Sequence, residues 1–354
     1  DEMKCFRERV FGPSVPREEV MRRIYESPSV YPAFERLSEP LRDEFVSFCM
    51  GARGLNVTYD PVFKRIFDPE AHASRLEDFL SCCLGQEVRI LSALPTESTR
   101  LTEGGSLLLM DLLVRLASGA LVNIEIQRIG YLFPGQRCAC YSSDLVMRQY
   151  TRVREECRRQ KKAFSYKDIK KVYTIVLIQD STKEFHLLPD AYVHRGKTLF
   201  DTGLKLDMLQ EYILIPLDIF WETVQNKDRI DRLDGWLTFI GTDKPEDILW
   251  LIERYPEFEE IYREVFCFRY QMEELMHMYS EALSVLDANT VKYMVERQQE
   301  EIAQQKGKIA EQEGEIAQQK GEIAQQKNEI DKLKKERDQQ NTEIARLKAL
   351  LAGK

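Results

Sequence analysis

The apolar pattern changes three times between residues 60 and 180, and these changes limit the fold more than any other feature. From Asp60 the segment "DPVFKRIF" leads toward "SRLEDFLSCCLG" at helical spacing, with Asp60 placed to cap the helix, Pro61 at its first position and Gly85 at its end. Then "VRILSALP", "SLLLMDLLVRL" and "ALVNIEIQRI" alternate with a period of two and read as three strands, with "LASGAL" turning between the last pair. Helical spacing returns from about Gln136 to Lys162, and "KVYTIVLIQD" follows as a buried strand. The order helix, three strands, helix, strand suits an α/β domain with a mixed sheet.

Within that order the turn sets a geometric test. If Ala117, Ser118 and Gly119 form a three-residue loop, with Gly119 in the left-handed position, Leu116 pairs with Ala120 and Asp111 falls opposite Glu125. Facing residues of an antiparallel pair share a face with Cβ atoms ~5 Å apart. Gln127 joins them, because strand side chains repeat every two residues. Two close carboxylates repel unless a positive charge sits between them, and a divalent ion such as Mg²⁺ is the simplest candidate. A two-residue loop would instead set Asp111 opposite Ile126 on the other face. A plain solvated strand face is the alternative, but "SLLLMDLLVRL" is otherwise apolar on both faces, where an unpaired charge is costly.

Elsewhere the chain is helical. Residues 1–55 form a lead-in broken by Pro13, Pro16, Pro28, Pro32 and Pro40 and stopped at Gly51. Beyond about residue 205 the pattern is helical again, with helices parted at Pro256 and near Arg269. In the tail "EIAQQKG" recurs, so that Ile302, Ile309, Ile316, Ile323, Ile330, Ile344 and Leu351 fall in one seven-residue series. Glu301, Glu315 and Glu322 then occupy g positions and Lys306, Lys320 and Lys327 occupy e positions of a heptad. Gln305, Gln312, Gln319 and Gln326 at d weaken the seam, and Gly307, Gly314 and Gly321 each cost about 1 kcal/mol of helix stability. The expectation is a long, marginal helix that self-associates weakly through residues 301–351. The segments are therefore 1–55, 56–204, 205–295 and 296–354.

Composition narrows the partners. With 354 residues and 43% hydrophobic content the chain can bury a sizeable core, and its net charge of −8 means that any nucleic acid must meet a local patch. Residues 148–171 supply one, with ten Lys or Arg against three acids; Arg148, Arg152, Arg158, Arg159, Lys161 and Lys162 are the candidate phosphate contacts, interleaved with Tyr150, Phe164 and Tyr166. The eight cysteines show no C-x-x-C spacing and read as reduced, buried thiols of a cytoplasmic protein. No apolar run is long enough to span a membrane. His72, His186, His194 and His277 are too scattered for a zinc site, and "TEGGS" lacks the rest of a phosphate loop.

The segments "YDPVFKRIFDP", "MDLLVRL…VNIEIQ", "YSSDLVMRQY" and "MYSEALSVLD…TVKYM" occur in an order that resembles the PD-(D/E)XK nuclease family transposases, the recombination-promoting nucleases of mobile elements, over about Leu55 to Val295. The resemblance implies a restriction-endonuclease-like core, a mixed sheet flanked by helices, with helical additions and a coiled-coil-like C-terminal helix. It makes Asp111 the metal-binding acid and Glu125 the second acid, with the backbone carbonyl of Ile126 as a further ligand to Mg²⁺ or another divalent cation. Gln127 stands where many superfamily members have Lys. An acid from the first helix often joins the set, and Glu77 is the candidate. The implied activity is metal-dependent hydrolysis of DNA phosphodiester bonds. An inactive DNA-binding or coiled-coil assembly protein on the same fold is the alternative, and RNA as substrate stays open.

Overall fold

The computed structural model describes residues 2–95, 110–129, 134–225, 227 and 229–352. The chain divides into two compact units, Asp1–Val291 and Lys292–Lys354. Segments 1–55, 56–204 and most of 205–295 thus fall within one unit.

The first unit opens with α1 (Glu2–Phe11), α2 (Arg17–Glu26), α3 (Tyr31–Arg36) and α4 (Glu39–Cys49), and Gly51 at φ 73° ends the lead-in. Next come α5 (Asp60–Ile66) and α6 (Ala73–Leu84), which Gly85 terminates in the left-handed conformation. The strands β1 (Ile90–Ala93), β2 (Leu112–Leu116) and β3 (Leu121–Ile129) precede α7 (Pro134–Arg159), and β4 (Val172–Asp180) follows it. The rest comprises β5 (His194–Lys197), β6 (Gln210–Pro216), α8 (Leu217–Val224), α9 (Arg232–Gly241), α10 (Pro245–Arg254), α11 (Phe258–Cys267) and α12 (Met272–Ala352). The helix breaks fall where Pro256 and Arg269 place them.

Among the described residues the strands form one six-stranded sheet in the order β1-β2-β3-β4-β6-β5. The pairs β3–β4 and β4–β6 are parallel and the others antiparallel, so the sheet is mixed. Leu112, Val114, Val122, Ile124, Ile175 and Ile213 face the large core built by the flanking helices. On the opposite face Leu113, Leu121 and Val172 pack against Leu145 of α7, while Val176 and Ile178 pack against Cys138. Coverage of both faces explains why β4 reads as an unbroken apolar run.

Three expectations need correction. Residues 210–216 form β6 inside the sheet, not a helix; the run "YILIPLDIF" merges this strand with α8 and hides the change of period. Of the described part of "SLLLMDLLVRL", Leu112–Leu116 is strand and Met110 and Asp111 are not, while Ser106–Leu109, like "TEGGS", lies outside the described residues. Finally, Cys140 and Cys267 are exposed thiols, not buried ones. Among the described residues no helix is long and apolar enough to cross a membrane.

Candidate active site

The β2–β3 hairpin turns through Ala117, Ser118 and Gly119, with Gly119 at φ 86° and the Leu116 N–H donating to the Ala120 carbonyl at 2.9 Å. The ladder runs from Arg115↔Leu121 to Leu112↔Ile124, which brings Asp111 level with Glu125. Asp111 stands just outside β2, and there its side chain takes over from the backbone: Oδ2 accepts the Ile126 N–H at 2.7 Å. The Asp111 N–H in turn donates to the Glu125 carboxylate. Asn123, one pleat back on the same face and buried, donates to Glu125 Oε1 at 2.9 Å. Gln127 follows Glu125 on that face, half-buried.

A third acid comes from α5. Asp60 is the first residue of that helix and Tyr59 holds the cap position without a side-chain cap bond, so the Asp60 carboxylate is free of the capping role expected from its place before Pro61. It lies instead within hydrogen-bond reach of the Asp111 carboxyl. Lys64, one turn on, binds Asp60 Oδ2 at 2.8 Å and stands 3.9 Å from Asp111 Oδ1. The loop before α5 is pinned to the C-terminal ends of β3 and β4. Gln179 Oε1 accepts from Thr58 Oγ1 at 2.8 Å and from Arg128 Nε at 3.1 Å, and the Arg128 guanidinium lies 4.7 Å from the Tyr59 ring centre.

Burial and crowding set the protonation of these groups. Burial first, and then the charge of Asp60, push the Asp111 carboxyl up to about 7. Glu125 is held well above the usual carboxylate range by burial and then by Asp111. For Lys64 burial acts downward, but Asp60, Asp111 and Glu125 outweigh it and hold the ammonium above its ordinary value. Cys138 of α7 is pushed up to about 11 by burial and by the Glu125 charge, which locates that thiol beside the acids.

Among the described residues no group of three or more His, Cys, Asp or Glu side chains is arranged to hold a metal ion. The donor set is smaller: the Asp111 and Glu125 carboxylates, with Asp60 beside them and its Oδ1 buried without a hydrogen-bond partner. Hard oxygens and surplus negative charge fit Mg²⁺, which takes one or two carboxylates and keeps several waters. The Asp111 side chain retains 21% of its exposure, so water and ions can reach it.

Glu77 does not join this group. It accepts the Ile90 N–H at 2.8 Å and pairs with Arg89, and Ile90 is level with Leu116. That is the turn end of β2, ~16 Å from Asp111 at the strand rise per residue. Of the basic stretch, Arg148 donates to the Pro95 carbonyl just beyond β1 at 3.1 Å, whereas Lys170 lies at the turn end. Gln149 of α7 exchanges hydrogen bonds with the Lys170 backbone, and Lys170 lies against Gly119, where an added Cβ would meet its Cγ at 3.0 Å. Arg158, Arg159, Lys161 and Lys162 come later still, and Gly119 is ~26 Å from Gln127 along β3. Arg148 is paired with Asp144, Arg152 with Glu156 and Arg159 with Glu155. Tyr150, Phe164 and Tyr166 pack on one another, and Arg154 covers Tyr150.

Asp60 and Lys64 are the site neighbours that the spacing of residues left unseen. The only trace is their i,i+4 separation in "DPVFK", which places them on one helix face and does not say what that face meets.

The family model for PD-(D/E)XK nuclease family transposases matches residues 57–295, an interval that begins just before Asp60 and stops short of the heptads. No curated protein and no solved structure matches the chain significantly. The six-stranded mixed sheet with flanking helices and a long C-terminal helix agrees with the nuclease-like α/β fold of that family. With more than half of its length matched, the chain belongs to the PD-(D/E)XK nuclease family transposases.

Proposed function

We propose that the protein is a metal-dependent DNA endonuclease of the recombination-promoting, transposase-related kind. The observation that carries this reading is the pair formed by half-buried Asp111 and buried Glu125, joined through the backbone at Ile126 and crowded by Asp60. Crowded carboxyls whose proton affinity is raised by burial and by a neighbouring acid are costly to a fold and cluster at functional sites. Asp111, Glu125 and the Ile126 carbonyl would hold Mg²⁺ or another divalent cation, which when bound lowers the pKa of water and polarises a phosphate.

The chain's own residues supply the rest. Gln127 orients the attacking water from the Glu125 face, since an amide donates and accepts hydrogen bonds but carries no charge. Lys64 provides the fixed positive charge that Gln127 lacks, placed between Asp60 and Asp111, where it can meet the phosphate oxygens as charge builds on them. Water attacks phosphorus and gives up a proton to solvent as the new P–O bond forms, the P–O bond to the leaving oxygen breaks, and that oxygen takes a proton from solvent. The later part of α7 and the residues just after it, with Arg148, Arg152, Arg158, Arg159, Lys161 and Lys162, contact DNA, and the last four of these lie away from the cut, at a distance of about eight base pairs by the 3.4 Å rise. The heptads of residues 301–351 join chains.

The test is incubation of the full chain with supercoiled plasmid and, in parallel, with structured RNA, each with Mg²⁺ or with chelator. Nicking of plasmid only in the presence of the ion is expected. Binding without nicking under every ion would favour the inactive DNA-binding reading, and cleavage of RNA alone would replace the substrate.

A further inference from the structure

The charges of the tail specify more than association. We infer that residues 301–351 pair with the same segment of a second copy as a parallel, in-register, two-stranded coiled coil; this rests on the reading that the heptads join chains. In α12 the a-position residues Ile302, Ile309, Ile316, Ile323, Ile330 and Ile344, each about half exposed, form a stripe that is interrupted at one a position by Arg337. Such a stripe has no packing partner on its own helix.

The charge pattern names the occupant. In a parallel pair, each g residue meets the e residue five positions later on the other chain. Of the seven such pairs, Glu301–Lys306, Lys308–Glu313, Glu315–Lys320, Glu322–Lys327, Glu329–Lys334 and Glu343–Lys348 are opposite in sign, and the seventh, Glu336–Asn341, carries one charge and no repulsion. Residues five apart on a single helix do not face each other, so one chain gains nothing from this pattern. In an antiparallel pair g meets g and e meets e, which would oppose Glu to Glu and Lys to Lys along the seam.

Register follows from a single irregularity. The repeat "KIAEQEG" reverses both Lys308 and Glu313 relative to its neighbours "EIAQQKG". In register the two reversals meet and cancel. A shift of one heptad in either direction sets Lys308 against Lys306 or Lys320, and Glu313 against Glu315 or Glu301. Parallel packing also stacks like layers, Ile on Ile and Gln on Gln, whereas antiparallel packing would bury each Ile against a Gln. Gly307, Gly314 and Gly321 fall at f, on the outer side, where an added Cβ would meet nothing within 4 Å. Ile at a beside Leu333 and Leu347 at d favours two strands over three. Both chains therefore enter the coil at the same end, which tethers two nuclease units to one assembly.

The test uses the full chain and two measurements. Light scattering across concentration reads association, and disulfide trapping reads orientation through Gln305→Cys and Gln340→Cys, with the unsubstituted chain as control for the exposed Cys140 and Cys267. A concentration-dependent dimer is expected, with each variant cross-linking to itself under mild oxidation. Lys308→Glu should weaken association about fivefold, because each dimer turns two attractive rim pairs repulsive, and adding Glu313→Lys in the same chain should restore it. A monomer at every concentration would overturn both the association and its geometry. A dimer that cross-links only when the two cysteine variants are mixed would overturn the parallel orientation alone. A trimer or larger species would overturn the two-stranded form, and a double variant no tighter than the single would overturn the register.

Discussion

At the scale of single residues, the proton balance of Asp111 has a measurable sign. Its folded-state value of about 7 stands above its ordinary 3.8, chiefly through burial, so between those values the native state holds a proton that the unfolded chain releases. Stability therefore falls as pH rises through that window. Asp111→Asn keeps an oxygen to accept the Ile126 N–H and removes the charge, so its melting temperature should exceed that of the unsubstituted chain at pH 8, by more than it does at pH 5. Mg²⁺ should raise the melting temperature of the unsubstituted chain at pH 8 and leave the variant unmoved. A variant that melts lower at pH 8 would remove the claim of a strained acid pair. Lys64→Met should slow nicking by about 10²-fold or more if it stabilises developing charge. Gln127→Ala should cost less, because an orienting amide contributes less than a cation or a ligand; plasmid nicking rates of the two variants decide the order.

These residues also show what the chain made legible. The Asp111–Glu125 pairing followed from one turn, because three loop residues and Gly119 fix the register and the register fixes the face. Asp60 and Lys64 were illegible because helix periodicity tells which residues share a face and not which strand end that face reaches. Glu77 stands apart from the acids for a related reason: it sits on a helix beside the same sheet, but its partner Ile90 is level with Leu116, at the turn end of β2.

At the scale of elements, α7 links two ends of the sheet. Its N-terminal part carries Cys138, whose thiol feels the Glu125 charge, and its later part reaches the turn end, where Gln149 meets Lys170. Its last basic residues, Arg158 and Arg159, follow the acids in the chain and lie at the other end of the sheet, a placement that charge counting cannot give. Reversing Arg158, Arg159, Lys161 and Lys162 together should weaken DNA binding and flatten its salt dependence, by about one unit of slope for each lost phosphate contact. The nicking rate at saturating DNA should change little, because none of these groups reaches the cut. Binding isotherms across a salt series, with rates measured alongside, check both halves. The strand β6 stayed hidden for an opposite reason: its apolar run continues into α8, and periodicity cannot separate a buried strand from a buried helix segment.

At the scale of the whole molecule, the division at Val291 and Lys292 separates the unit that holds the acids from the unit that holds the heptads. The family match ends at residue 295, close to the same place. Truncation after Glu296 should leave a folded protein that still nicks plasmid, with its mass by light scattering reduced to that of one chain. Loss of nicking in a folded, truncated monomer would mean that joining two chains assembles the active form. The central claim, that Asp111 and Glu125 together hold the ion on which hydrolysis depends, meets its most direct test in Mg²⁺-dependent nicking of supercoiled plasmid by the full chain, Asp111→Asn and Glu125→Gln, with circular dichroism to establish that all three are folded. The expected result is a loss of about 10³-fold or more in each variant at every Mg²⁺ concentration. A folded variant of either kind that nicks at the rate of the unsubstituted chain would contradict the account.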